Sequence, residues 1–195
     1  MKAMRIIATT TLLLAAVSCG TSRRTYVNPE ADFGYYTKVA VLPFSNLSTD
    51  RNAADKVTSA FVTELLIGGK VQVAGMGDVL TAYRTIVKDE RTNLPEQLRA
   101  EEAKAIGTTA EVQGLFAGSV REYSMTRSGQ EDFPLVSVIV RFIDCQSGKV
   151  VWSHEVTQKG GPKFPIVSIG ETHTLGDLTA KVCREMAQSF DRSLK

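Results

Sequence analysis

The chain has few of the residues that carry catalysis and metal binding. Its 195 residues include two histidines, three cysteines and one tryptophan. His154 and His173 have no metal-ligand spacing with each other or with a cysteine, and no GxSxG, P-loop or HExxH motif occurs. His154 would alternate with Trp152 along a strand, which favours a structural or surface role. The sequence therefore predicts no enzyme, no cofactor and no metal.

An excess of charge is also missing. The chain carries 23 basic and 21 acidic residues, which gives a formal net charge of +2. Lys2 and Arg5, close to the N-terminus, account for the whole difference. Binding to nucleic acid is driven by neutralisation of phosphates by a basic surface, which this composition does not supply. The sequence therefore predicts no nucleic-acid partner.

The only sustained apolar run is short and lies near the N-terminus. Residues 6–17 follow two positive charges and lead through Ala-Val-Ser at 16–18 to Cys19. This arrangement resembles a bacterial lipoprotein signal, which implies a signal peptide over 1–18 and acylation of Cys19, including palmitate. Plain secretion stays open, and an uncleaved anchor is disfavoured because a membrane span needs ~20 apolar residues.

The segment after Cys19 has no sustained periodicity. Residues 19–37 are predicted to be a lipidated, flexible tether with an average span of about 25 Å. The resemblance implies that Gly20, where Asp would favour retention in the inner membrane, directs the protein to the outer membrane, facing the periplasm. The folded domain is predicted over 38–195.

From residue 38 onward, short apolar runs alternate with helical periodicity. The first run, Lys38–Phe44, is typical of a strand, and the helical pattern after it stops at Gly68-Gly69. Polar loops are predicted over 124–133 and 160–173. The predicted strands are 38–44, 70–74, 110–123, 135–144 and 149–158, and the predicted helices lie before residue 68, after Asp78, from Leu94 to Gly107 and over 175–194. This order, βαβααβββα, predicts an α/β fold with a mixed five-stranded sheet flanked by helices.

Three segments resemble a known family of envelope domains. They are VAVLPFSNLSTD at 39–50, AIGTTAEVQGLFAGSVREY at 105–123 and VSVIVRFIDCQSGKVVWSHEV at 136–156. In this order they resemble the periplasmic domain that CsgG, LpoB and the amino-terminal domain of TolB share. The resemblance implies an accessory of envelope assembly or secretion that works through contacts with an unidentified protein. The alternative is a ring-forming, homo-oligomeric subunit of a CsgG-like export complex that lacks transmembrane hairpins of its own.

Two further hypotheses concern single side chains. Cys145 and Cys183 could form a disulfide in an oxidising compartment, or could remain unpaired as small apolar residues. Phe164 and Ile166, in a region with loop punctuation, could form a partner patch together with Trp152. The alternative for all three is a place in the hydrophobic core.

Overall fold

A computed structural model describes residues 21–87, 98–161 and 172–194. In these residues the chain forms one mixed sheet of seven strands and four α-helices. The strands are β1 (Thr21–Val27), β2 (Lys38–Val41), β3 (Ser45–Asn46), β4 (Gln72–Val73), β5 (Gly114–Ser128), β6 (Glu131–Asp144) and β7 (Val150–Lys159), and the helices are α1 (Ala53–Gly68), α2 (Met76–Ile86), α3 (Ala100–Ala110) and α4 (Leu175–Ser193). The predicted mixed sheet flanked by helices is confirmed, but five strands were too few because β1 and β3 were missed.

The sheet runs in the order β1-β7-β6-β5-β2-β4, and β3 pairs with β5 beyond the end of β2. Strands β1, β7, β6 and β5 are antiparallel neighbours, whereas β2 is parallel to both β5 and β4. The parallel part follows from the helical crossovers, and the antiparallel part follows from the tight turns between consecutive strands. One lateral edge of the sheet is therefore β1, and the other is β4 with the end of α1.

The predicted flexible tether is wrong for the residues after Gly20. Thr21 pairs with Gln158 and Val27 pairs with Trp152, so the whole of β1 lies along β7. A short 3-10 helix, Phe33–Tyr35, then leads to β2 and buries the Phe33 ring. Strand β1 has no apolar alternation because it lies at an edge where most of its side chains meet solvent, and its main chain supplies the pairing.

The predicted polar loop over 124–133 is also wrong. Strands β5 and β6 continue to Ser128 and Glu131, and only Gly129 and Gln130 separate them. A register shift between Val120 and Glu122 marks a β-bulge at Arg121. The polar side chains of this segment gave no sign of the pairing between β5 and β6, which depends on main-chain hydrogen bonds.

Two hydrophobic clusters cover the two faces of the sheet. The first, here called the aromatic core, lies under α1 and α4 and contains Phe61, Phe116, Phe142 and Phe190. The second, here called the aliphatic core, lies under α2 and α3 and has no aromatic ring among its buried members. Adjacent residues of β5 alternate between them, as the pleat requires, with Leu115 in the aliphatic core and Phe116 in the aromatic core.

The observed helix ends agree only in part with the predicted bounds. Gly69 ends α1 in the left-handed conformation, with φ of 60°, and the Thr174 side chain accepts a hydrogen bond from the Asp177 N–H at the start of α4. Gly107 is not the terminator of α3, which continues to Ala110. A Cβ at Gly107 would lie 2.5 Å from the Cβ of Cys145, so this glycine allows the helix to approach the sheet. The predicted start at Leu94 lies outside the described residues.

Candidate protein-contact surface

Trp152 does not contribute to an exposed patch. Its side chain is fully buried, and its ring centroid lies 6.2 Å from that of Phe116 and 5.5 Å from that of Phe190. The side chain points into the aromatic core because its position on β7 alternates with outward-facing residues. Phe164 and Ile166 lie outside the described residues, so their patch stays a prediction.

The disulfide hypothesis is contradicted, and the unpaired alternative describes the structure. Cys145 and Cys183 are free and buried, the first in the aliphatic core and the second in the aromatic core. The sheet lies between these cores, which keeps the two thiols apart. Desolvation by burial raises the pKa of each thiol to about 12, so both remain protonated and inert at neutral pH.

Strand β1 is fixed by side chains as well as by its pairing with β7. The guanidinium of Arg23 forms a two-pronged ion pair with Glu185 of α4, in which Nη2 donates to Oε2 at 2.9 Å. The Oγ1 of Thr25 lies 2.7 Å from Nδ1 of His154 on β7. The start of the described chain is thereby joined to both the sheet and α4.

His154 forms the centre of this attachment. Its ring is buried between β1 and α4, with Nε2 3.7 Å from Oε1 of Glu185 and Nδ1 3.5 Å from Oγ of Ser189. Desolvation lowers the pKa of His154, and the Glu185 carboxylate opposes that shift only in part. The geometry is that of a neutral, structural histidine, as the alternation along the strand predicted.

The two lateral edges of the sheet carry exposed apolar side chains. Tyr26 and Val27 on β1 are 51% and 43% exposed. At the other edge, Leu66 and Ile67 in the last turn of α1 are 59% and 71% exposed. Exposed neighbouring apolar residues of this size suit contacts with another macromolecule better than contacts with water.

The sequence held a signal for the α1 pair that periodicity alone did not use. The core-facing stripe of α1 runs through Val57, Phe61 and Leu65, all of them buried. Leu66 and Ile67 continue this apolar run outside the stripe, where a polar residue is expected on a solvated helix. Apolar residues away from the core stripe were therefore the available sign of a contact surface.

Within residues 21–87, 98–161 and 172–194, no helix covers the part of the sheet face that lies beside the aliphatic core, and this part carries polar side chains. Its side chains come from β1, β7, β6 and the bulge in β5. Arg121 donates to Glu155 at 2.7 Å, and the hydroxyls of Ser137 and Thr157 lie 2.7 Å apart. These pairs satisfy one another across neighbouring strands, with Ser137 buried and the Arg121–Glu155 pair partly exposed to solvent.

The described residues contain no group of three or more His, Cys, Asp or Glu side chains placed to hold a metal ion. In the same ranges, no helix combines the length and the hydropathy needed to cross a membrane. What the described surface offers is two apolar edges and a polar sheet face.

No protein-family model and no curated protein matches the chain in sequence. Among solved structures, the PelC dodecamer from Paraburkholderia phytofirmans is similar to it with a TM-score of 0.57 and 19% identity, over 87% of this chain and 96% of that one. The lipoprotein GNA1162 from Neisseria meningitidis is similar with a TM-score of 0.53 and 19% identity, over 78% of this chain and 99% of that one.

These likenesses concern the fold. The chain shares its architecture with a lipoprotein and with a protein that assembles as a dodecamer. The LpoB C-terminal domain from Salmonella enterica, one of the predicted relatives, also matches over 67% of this chain and 87% of that one, with 14% identity and a TM-score of 0.47. A likeness that loose supports no inference about function, and the resemblance to CsgG and TolB stays a prediction.

Proposed function

We propose that this protein is a lipid-anchored periplasmic accessory of envelope assembly or secretion, which acts through protein contacts and has no catalytic activity of its own. The proposal is supported by the lipoprotein-like signal before Cys19 and by a fold shared with a lipoprotein. The apolar sheet edges supply surfaces on which such contacts can form.

The observation that carries the proposal is the place where β1 begins. Only Gly20 separates Cys19 from Thr21, the first residue of β1. Two residues reach at most about 7 Å, even when fully extended. Because β1 is paired with β7 and joined to α4, an acyl chain on Cys19 would hold the whole domain against the bilayer. A loosely tethered domain would not be restrained in this way.

The anchor would also determine which end of the sheet faces the membrane. Thr21 lies at the level of Gln158 and Val136, and the β5–β6 hairpin continues past that level to Glu131. The five residues of β6 from Glu131 to Leu135 span about 17 Å. Residues 19–20 reach only about 7 Å, so the polar hairpin turn would extend about 10 Å past Cys19 into the headgroup layer, while the end of β1 at Val27 would face the periplasm.

Acylation is tested by metabolic labelling with a palmitate analogue. The wild-type chain should incorporate the label and the Cys19→Ala variant should not, because the other two thiols are buried and protonated. Cys145→Ala serves as the matched control and should label like wild type. Label in the Cys19→Ala variant, or none in wild type, would contradict anchoring through this residue.

Sorting to the outer membrane is tested on a sucrose gradient. The wild-type protein should sediment with outer-membrane markers, and Gly20→Asp should shift it toward the inner membrane if this residue is read as the lipoprotein resemblance implies. Wild-type protein in the inner-membrane fractions would overturn the proposed location and leave the anchor itself in place.

A second candidate function is that of a ring-forming structural subunit. One specific observation favours it, namely that two pairs of exposed apolar residues, Tyr26 with Val27 and Leu66 with Ile67, lie at two different edges of the sheet. The fold shared with PelC, whose structure is described as a dodecamer, supports the same candidate. The accessory role and the ring are compatible, because a ring of anchored copies can itself bind a partner.

A further inference from the structure

We propose that copies of this chain join head to tail, with the β1 edge of one copy against the α1–β4 edge of the next. The β1 edge consists of β1 with the exposed Tyr26 and Val27, and the α1–β4 edge consists of β4 and the exposed Leu66 and Ile67 at the end of α1. This inference rests on the proposed function, because it uses the anchor at Cys19 to choose between ways of joining.

The distribution of apolar surface points to two unlike contact faces. Two copies that meet through a two-fold axis need one self-complementary patch, whereas head-to-tail joining needs two different patches. Four of the exposed large apolar residues of the described chain form two adjacent pairs, Tyr26 with Val27 and Leu66 with Ile67. The full width of the sheet separates the pairs, so they cannot cover each other within one copy.

The two patches lie at similar heights along the strands. Val27 is level with Trp152, which pairs with Phe142. On the other edge, Val73 is level with Val39 and Gly114, and Gly114 lies two residues along β5 from Phe116, the partner of Phe142. Copies that stand side by side on one membrane would therefore bring the patches opposite each other with a vertical shift of only about 7 Å.

The main chain of β1 is also suited to contact. The N–H of Asn28 donates to the carbonyl of Val151 at 2.8 Å, so alternate residues of β1 turn toward β7. The main-chain groups of Thr25 and Val27 consequently point away from β7, toward the outer edge. The register is continuous over seven residues with no bulge or proline, and such an edge is a template for another chain.

The anchor argues against the other way of using this edge, antiparallel pairing of β1 with β1 of a second copy. Such a pair would place the two Thr21 residues at opposite ends of the joint, about 20 Å apart along the strand direction. Both lipids could then enter one leaflet only if the sheet lay flat on the membrane. A helix layer covers part of each face and is about 10 Å thick, which exceeds the ~7 Å that residues 19–20 can reach.

Head-to-tail joining has no such conflict. Each added copy keeps its Thr21 end toward the bilayer, so every Cys19 falls on the same rim of the assembly. The neighbouring edges would run antiparallel, because β1 ascends from the membrane while β4, parallel to β2 and β5, descends toward it. A constant rotation about the membrane normal closes such a series of copies into a ring.

The joint is tested by thiol crosslinking of the full-length protein in membranes. A bismaleimide should convert the double variant Val27→Cys, Ile67→Cys into a ladder of multimers, since each copy then carries one thiol on each edge, both on the side of the sheet that α1 and α4 cover. Each single variant should remain monomeric. Background reaction is low because Cys145 and Cys183 are buried with raised thiol pKa values.

The matched control moves one thiol away from the joint. Met125 is 47% exposed and lies on the projecting part of β5, so Met125→Cys with Ile67→Cys should give no ladder. A ladder of equal intensity in this control would show random collision. Dimers formed by Val27→Cys alone would show pairing of β1 with β1, and a purely monomeric double variant would show that the joint does not exist. Each of these three results overturns the proposal.

A mixing experiment gives an independent readout. In mild detergent, Val27→Asp copies and Ile67→Asp copies should each be monomeric, because each lacks one working edge. Mixed together, they should form dimers and nothing larger, through the one intact edge that each retains. If wild type is monomeric while palmitate labelling at Cys19 persists, the joint fails and the anchored accessory stands.

Discussion

The two faces of the sheet are packed in different ways. The aromatic core joins rings from β5, β6, β7 and α4, and the Phe116 ring lies 4.6 Å from that of Phe142 and 4.8 Å from that of Phe190. The aliphatic core consists of small and branched side chains under α2 and α3, each of 11 residues. It covers mainly β2 and β5 and leaves the part of the face near β1 polar.

This difference in packing gives the two faces different roles, one in folding stability and the other in contacts with a partner. Burial of large rings contributes more free energy than burial of alanine or valine, so the aromatic face supplies most of the folding stability. The opposite face needs less cover and can expose polar sheet to a partner. The β1 edge belongs to both regions, since Arg23 and Thr25 contact the α4 side while Arg24 and Tyr26 lie on the open side.

The largest expected effect comes from truncating neighbouring residues of β5 that face opposite cores. Phe116→Ala should lower the free energy of unfolding by about 3–5 kcal/mol, because it removes a ring packed among four others and leaves a cavity. Leu115→Ala should cost about 2–3 kcal/mol, at the lower end of the usual range, because its surroundings are small and can relax.

Urea denaturation of the Cys19→Ala chain measures both values in one background. Equal losses, or a larger loss for Leu115→Ala, would contradict the division of stability between the faces. An unchanged m value in both variants is needed for the comparison, since it shows that the same surface is exposed on unfolding.

The next effect is a pH dependence of folding stability, and it arises from His154 on the side of the sheet that faces α4. Burial lowers the pKa of His154 in the folded chain below the value of about 6.5 expected when it is unfolded. Below pH 6.5 the unfolded state therefore binds the proton first, and stability falls until the pH passes the lowered pKa. Above pH 6.5 His154 is neutral in both states, so none of this stability is lost.

The His154→Asn variant tests that sign. It should lose part of the decline in the free energy of unfolding between pH 7 and pH 5, because asparagine does not titrate there. Denaturation midpoints across this range measure the decline in both proteins. An identical decline in the variant would assign the pH dependence to other groups.

The sequence predicted the elements whose stability is visible in their own residues. The apolar run of β2 and the α1 stripe that ends at Gly69 both carry their pattern locally. Strand β1 does not, because it is held by Glu185 and His154, which lie 162 and 129 residues away from their partners in the chain. The extension of the β5–β6 hairpin was missed for the related reason that main-chain pairing has no side-chain signature.

The candidate surface was predictable only in part. Trp152 was left open between a partner patch and the hydrophobic core, because a lone aromatic residue gives no sign of which strand face it occupies, and the structure places it in the aromatic core. Leu66 and Ile67 were detectable as apolar residues outside a helical stripe. Tyr26 and Val27 were not, since they become an edge only when β1 joins the sheet.

The smallest expected effect is an unchanged melting temperature in reductant, and it follows from the separation of the two cores. A disulfide requires Cβ atoms about 3.5–4.5 Å apart, but Cys145 and Cys183 belong to clusters on opposite faces of the sheet. Reductant should therefore leave the melting temperature unchanged, and the unfolded, acylated chain should titrate with two free thiols. A lower melting temperature in reductant, or a missing thiol, would mean that the chain can bring the two faces together, which a sheet filled on one side by Phe116 and Phe142 does not permit without unfolding.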